Sequence, residues 1–295
     1  MSARGWLNLA LALAVAVLGA LAWFKPGAPD PDAGRLPVFA APAAAHSIRV
    51  TLADGTGWQL TRGAGAWSLA APFASPADPA LVGSLLDDLG AAKSGAHYAA
   101  SALDPKQVGL DKPVLVLELD AHRYEFGGVE PIDYKRYVKD GDRVLMVDNM
   151  AFYRLDQPGA AFASKRLLPD GAQPTKLELP SLTLASDAGG RWTLTPADAR
   201  VSSDAIQALV EAWRHAGAIE VKPIAAGVVQ GKARITLAGV ATPLEFEVLT
   251  AAEGLRLARR DLGLEYELQA EDRGALLELT RTPALPIAPA PPTAR

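Results

Sequence analysis

The apolar positions of this chain change rhythm three times. Residues 6–24 form an almost unbroken apolar run, "WLNLALALAVAVLGALAWF", with Asn8 its one polar member and no charge. From Ser47 onward apolar and polar residues alternate. "SIRVTLADGTGWQLTRGAGAWSLAAP" reads as three short strands separated by turns at Asp54-Gly55 and at residues 63–65. The period then lengthens. Val82, Leu85, Leu86 and Leu89 fall at i, i+3, i+4 and i+7, which predicts a helix capped by Asp78 with Pro79 in its first turn.

The same order of elements returns in the second half. "LTLASDAGGRWTLTP" predicts two strands around a turn, and "VSSDAIQALVEAWRHAGA" predicts a Ser-capped helix with Ile206, Leu209, Val210 and Trp213 at the helical intervals. The two stripes are offset by 124 residues and the tryptophans Trp67 and Trp192 by 125, so one indel aligns them. "PVLVLELDAHRYEFGG" and "KARITLAGVATPLEFEVL" then each read as strand, turn, strand. "YKRYVKDGDRVLMVD" and "GLRLARRDLGLEYELQ" each read as a basic strand followed by another. The expected fold class is α+β: two tandem related units, each a mostly antiparallel sheet with one packed helix, with Trp67 and Trp192 as equivalent core anchors. The units are placed at residues 47–173 and 174–281.

As a helix the 19 residues from 6 to 24 would rise roughly 28 Å, close to the hydrocarbon thickness of a bilayer. Trp6 and Trp23 suit its two interfaces. Arg4 with the terminal amine, against Lys25, favours residues 1–5 in the cytoplasm and the body outside it. A cleavable signal peptide ending at Ala22 is the rival reading, because Ala20-Leu21-Ala22 has the small-x-small form. Either way the body is exported. Residues 25–46 are rich in Pro, Ala and Gly and read as an extended linker, and the Pro-rich residues 282–295 as a loose tail.

Composition narrows the function. The chain has 295 residues and a net charge of −4, a field that does not gather nucleic acid. It has no cysteine, which excludes disulfides, thiol catalysis and lipoprotein acylation. The four histidines, among them His97 and His122, are spread without metal-ligand spacing, and no nucleophile-elbow motif is present. No catalytic residue, metal or cofactor is expected. The basic strands, Lys135, Arg136, Lys139 and Arg143 in the first half and Arg256, Arg259 and Arg260 in the second, are candidates for binding an anionic partner such as lipid headgroups. They equally fit half-solvated strands. Gly109, Asp111 and Pro113 in "GLDKP" read as a structural corner: a glycine at positive φ, a carboxylate bonding nearby amides, and a proline forcing extended backbone.

The stretches "VGLDKPVLVLEL", "FGG" at 126–128, "YKRYV" at 134–138, "VLMVD" at 144–148 and "SKRLLP" at 164–169 resemble the membrane-anchored family catalogued as domain of unknown function 4340. The likeness covers residues 47–168 and is weaker in the second unit, which has no "GLDKP". It implies an exported β-rich module behind one amino-terminal helix, and some such proteins are encoded beside gliding-motility-type ABC transporters. The expected function is therefore a single-pass inner-membrane protein with a periplasmic body, a non-enzymatic accessory or scaffold for a transporter permease or another envelope protein. Two alternatives stand beside it. One is a lipid- or glycan-binding module using a groove between the units, lined by residues such as Trp58 or Tyr137. The other is a hydrolase in which His97 or His122 meets a carboxylate in a cleft.

Overall fold

The computed structural model describes Trp6, residues 13–19 and residues 34–281. Residues 13–19 are helical, and Leu13, Val15, Val17 and Leu18 each leave half or more of their surface uncovered. The rest of the expected 6–24 span lies outside the described residues, as do residues 25–33 and the tail at 282–295. Among the described residues no helix is long and apolar enough to cross a membrane.

The body consists of two large sheets, antiparallel at every pairing, and a few helices. Strands β1 (Ser47–Leu52), β2 (Gly57–Gly63) and β3 (Ala66–Ala71) form a meander, followed by helix α1 (Pro79–Ala91). Then come β4 (His97–Ala99), β5 (Leu115–Leu119), β6 (His122–Val129), β7 (Arg136–Asp140), β8 (Arg143–Val147) and α2 (Met150–Leu155). The second half has β9 (Pro174–Leu179), β10 (Leu182–Ser186), β11 (Trp192–Thr195), α3 (Ser203–His215), β12 (Glu220–Pro223), β13 (Val229–Leu237), β14 (Leu244–Leu249), β15 (Leu255–Arg259), β16 (Leu264–Leu268) and α4 (Ala270–Leu277).

Spatially the first sheet runs β3-β2-β1-β5-β6-β7-β8-β4, with the two-residue strand Ser75–Pro76 beyond β3, and the second runs β11-β10-β9-β13-β14-β15-β16-β12. Each strand of the second sheet occupies the place of the strand eight labels earlier. In both sheets a helix follows the third strand, and the next strand goes to the far edge before the chain returns to the middle. A cis X-Pro peptide follows β3 and β11 alike, at Ala71-Pro72 and Thr195-Pro196.

The predicted helix chemistry is in place. The Asp78 carboxylate accepts from the amides of Ala80 and Leu81, satisfying two of the donors that a helix start leaves orphaned. Ser202 Oγ accepts from Ala205 N at 3.1 Å. Val82, Leu85 and Leu89 of α1 and Ile206, Leu209, Val210 and Trp213 of α3 are buried, while Leu86 is half-buried. The alternation sends Tyr124 and Phe126 into the core and Glu125 to the opposite face, as it does Phe246 against Glu245 and Glu247.

Two expectations are corrected. Trp67 and Trp192 are not the core anchors: both are half-buried, and the sealed indoles are Trp58 on β2 and Trp213 on α3. β3 and β11 lie at or next to sheet edges, where no further full strand covers an indole. The linker does not extend to residue 46. Val38 and Phe39 are buried, Val38 N donates to Ala92 O, and Ala40 N donates to the Tyr124 hydroxyl, so residues 36–46 pack as part of the first unit. The strands β4, β9 and β12 and the helices α2 and α4 were not anticipated, because each is short or lacks a clear period.

Candidate functional site

Each sheet carries its helix on one face and a charged lattice on the other. On the first sheet Arg49 and Arg123 flank Glu118, and Arg123 and Lys139 flank Glu125. Burial opposes ionisation of Glu125, but hydrogen bonds from Arg123 and Lys139 outweigh it and hold the carboxyl below the usual range. On the second sheet Arg234 pairs with Glu245, Lys232 and Arg260 with Glu247, and Lys222 with Glu220 and Glu267. A shallow groove of ≈ 510 Å³ follows these rows, lined by Lys232, Arg234, Glu245, Glu247 and Arg260. Its alternating charges are mutually satisfied.

The crossover that returns each chain from the far edge to the middle lies across this polar face. In the first unit it is the segment containing Gly109, Asp111 and Pro113. Gly109 has φ +69°, and a Cβ there would sit 2.7 Å from the amide nitrogen of Gly128. Gly128 N donates to Val108 O at 2.8 Å, and a side chain at Gly127 would collide with that same carbonyl. "GLDKP" and "FGG", far apart in sequence, are thus two halves of one close backbone contact. Pro113 leads into β5 as expected, with the Val114 amide bonded to Phe126 O. Asp111 departs from expectation. Its side chain is exposed and makes no hydrogen bond among the described residues, and the amide-bonding carboxylate is that of Asp104, which accepts from Lys106 N at 3.0 Å.

In the second unit the crossover is shorter, residues 224–228, and it covers a buried ion pair. Glu265, 1% exposed, takes a hydrogen bond from Arg256 at 2.6 Å and one from Ala225 N at 3.0 Å through the same oxygen. Its other oxygen has no hydrogen-bond partner, with Lys222 Nζ 3.8 Å away.

The seven basic candidates are accordingly not brought together as one cationic patch. Lys135 faces Asp133 at 3.9 Å, and Lys139 is bound to Glu125. Arg143 pairs with Asp140 across the β7–β8 turn, and Arg260 pairs with Glu247. Arg256 lies under the crossover, and Arg259, nearly buried, forks onto Asp261 while lying over the Phe246 ring. That fork is what holds the Asp261 carboxyl below its ordinary range. Arg136 is a clamp: it donates to Gly127 O at 2.7 Å and Asn149 Oδ1 at 3.0 Å, with its guanidinium 3.7 Å from the Phe152 ring centroid. Burial pulls its pKa down from the ordinary arginine value.

The residues proposed for a groove between the units are also apart. Trp58 is sealed in the core, donating to Leu155 O and tilted against Phe162. Tyr137 instead lines a ≈ 430 Å³ groove at one end of the first sheet, with Tyr98, Ile132, Met146 and Arg35. Nothing in the sequence pattern singled out this place. Its signal is a weak one, the apolar Ile132 and Tyr134 within the otherwise polar β6–β7 loop. His97 and His122 are exposed, their imidazoles make no hydrogen bond among the described residues, and no group of three or more His, Asp or Glu there is placed to hold a metal.

In comparison with known proteins, a family model described as Domain of unknown function (DUF4340) matches residues 67–233, more than half of the chain. The match runs from β3 through the connection between the sheets to β13. No curated protein and no solved structure matches.

Proposed function

The chain belongs to the DUF4340 family, and from that premise we propose that it is a single-pass membrane-anchored accessory protein of the cell envelope, its body in the periplasm, supporting a transporter permease or another envelope protein without catalysis of its own. The observation that carries this reading is the leading segment. Its described residues are helical, and Leu13, Val15, Val17 and Leu18 stay 51–67% exposed instead of packing on the body. Such side chains find their apolar environment in a bilayer. The identical strand orders, the helix placed after the third strand and the crossover on the same face in each unit support the further reading that the body arose by duplication.

Cell fractionation tests the proposal. The full-length protein should remain with membranes through a high-salt wash, require detergent for release, and carry a second envelope protein through gentle solubilisation. Recovery as a lone soluble species overturns it.

A further inference from the structure

The β6–β7 loop presents apolar side chains that the fold does nothing to cover. Ile132 is 81% exposed and Tyr134 71%, with Val129 and Tyr98 partly exposed beside them. The loop is firmly tied. The Glu130 carboxylate accepts from Ile132 N at 2.9 Å and Asp133 N at 2.7 Å, Glu130 N donates to Lys135 O, and Asn149 Nδ2 donates to Tyr134 O at 3.0 Å. Fixing an Ile-Asp-Tyr tip in water gains nothing for the isolated body, since a rigid apolar projection is a feature of surfaces that meet something apolar.

What it meets follows from where the body begins. Arg35, the second residue of the described body, lines the same groove as Ile132 and Tyr98. Only residues 25–33 separate residue 34 from the apolar segment at 6–24, and a fully extended chain spans at most about 3.5 Å per residue, so roughly 35 Å bounds the distance from this end of the body to the bilayer. Isoleucine and tyrosine at the tip are side chains that settle at a membrane–water boundary, one supplying apolar area and the other an amphipathic ring. A protruding tip fits a deformable lipid surface better than the broad flat contact of a protein interface.

We propose that the loop at residues 130–135 inserts Ile132 and Tyr134 into the bilayer interface, making a second membrane contact that fixes the orientation of the body. This rests on the anchored reading above.

The absence of native cysteine allows a clean test in the full chain. Asp133→Cys is labelled with an environment-sensitive fluorophore, and the protein is reconstituted into phosphatidylcholine–phosphatidylglycerol vesicles carrying headgroup-region spin-labelled lipid. Ala121→Cys serves as control at the opposite end of β6, which is eight residues long. The label at 133 should shift to the blue and be quenched, that at 121 should not, and adding Ile132→Ser and Tyr134→Ser to the labelled 133 protein should abolish both effects. If the protein floats with the vesicles and the label at 133 reports water, the loop contact is wrong and the anchor stands. Shielding that appears only when membrane proteins are added overturns it in favour of a protein partner. Failure to float removes the anchor and this proposal together.

Discussion

Trp213 and Trp192 separate a sealed indole from a half-buried one. The Trp213 ring has no exposed surface, tilts against Phe246, and donates from Nε1 to Leu276 O at 2.8 Å, joining α3 to α4. Trp213→Ala is expected to cost about 3–5 kcal/mol through the cavity and the orphaned carbonyl, while Trp192→Ala costs well under half of that. Urea denaturation of the two variants measures the difference. Gly109 and Asp111, neighbours in the most recognisable stretch of the sequence, divide in the same way. Gly109→Ala meets both an unfavourable φ and the Gly128 backbone and is expected to lose more than about 1 kcal/mol, whereas Asp111→Ala leaves stability within about 0.5 kcal/mol. The helical stripes, both N-caps and the glycine corner were legible because each depends on neighbours a few residues away. The burial of an indole on a strand was not, because it depends on which strand lies alongside.

At the scale of elements, the charged faces are ladders whose members were readable as basic strands, but whose acids come from other strands. Lys139 finds Glu125 on β6 and Arg256 finds Glu265 on β16, pairings set by register rather than by sequence proximity. The second unit's crossover was invisible for the same reason: residues 224–228 carry no motif, and their role follows from the strand order. Arg256→Met should leave the buried Glu265 carboxylate without its hydrogen-bonded cation, with Lys222 still 3.8 Å from the other oxygen, and lose up to about 3 kcal/mol, while the further change Glu265→Leu should recover most of it. A double-mutant cycle by chemical denaturation checks both. Acid should act on the exposed ladders through a defined sign. The carboxyls of Glu125, Glu267 and Asp261 are held below their ordinary values of 4.5, 4.5 and 3.8 by paired cations, outweighing desolvation at Glu125. Their contribution is present above those values and is lost as pH falls through the lowered ones. Melting temperature should therefore hold from neutral pH down to about pH 5 and drop below about pH 4, the loss at each exposed pair being small. Glu125→Gln should flatten part of that drop.

For the whole molecule, two sheets with the same strand order raise the question of whether they unfold as two bodies or one. The segment after α2 does not behave as a free linker. Ala218 N donates to Lys165 O at 2.7 Å and Leu167 N to Ala216 O at 3.2 Å, so the exit of the first unit is pinned to the end of α3 in the second. Leu167 and Leu168 are buried there, and one continuous cluster of buried side chains runs from Val38 to Leu279 through both sheets. Independent domains have few contacts crossing their boundary, whereas here backbone pairing and a shared core both cross it. A single cooperative transition is expected, with calorimetric and van't Hoff enthalpies in agreement. Leu117→Ala in the first sheet and Trp213→Ala on the second sheet's helix should each move that one transition. Two resolved transitions, each shifted by only one of the substitutions, would show instead that the pinned segment fails to couple the halves. A body that unfolds as one piece is also what would let contacts made by the first unit near a membrane orient the second.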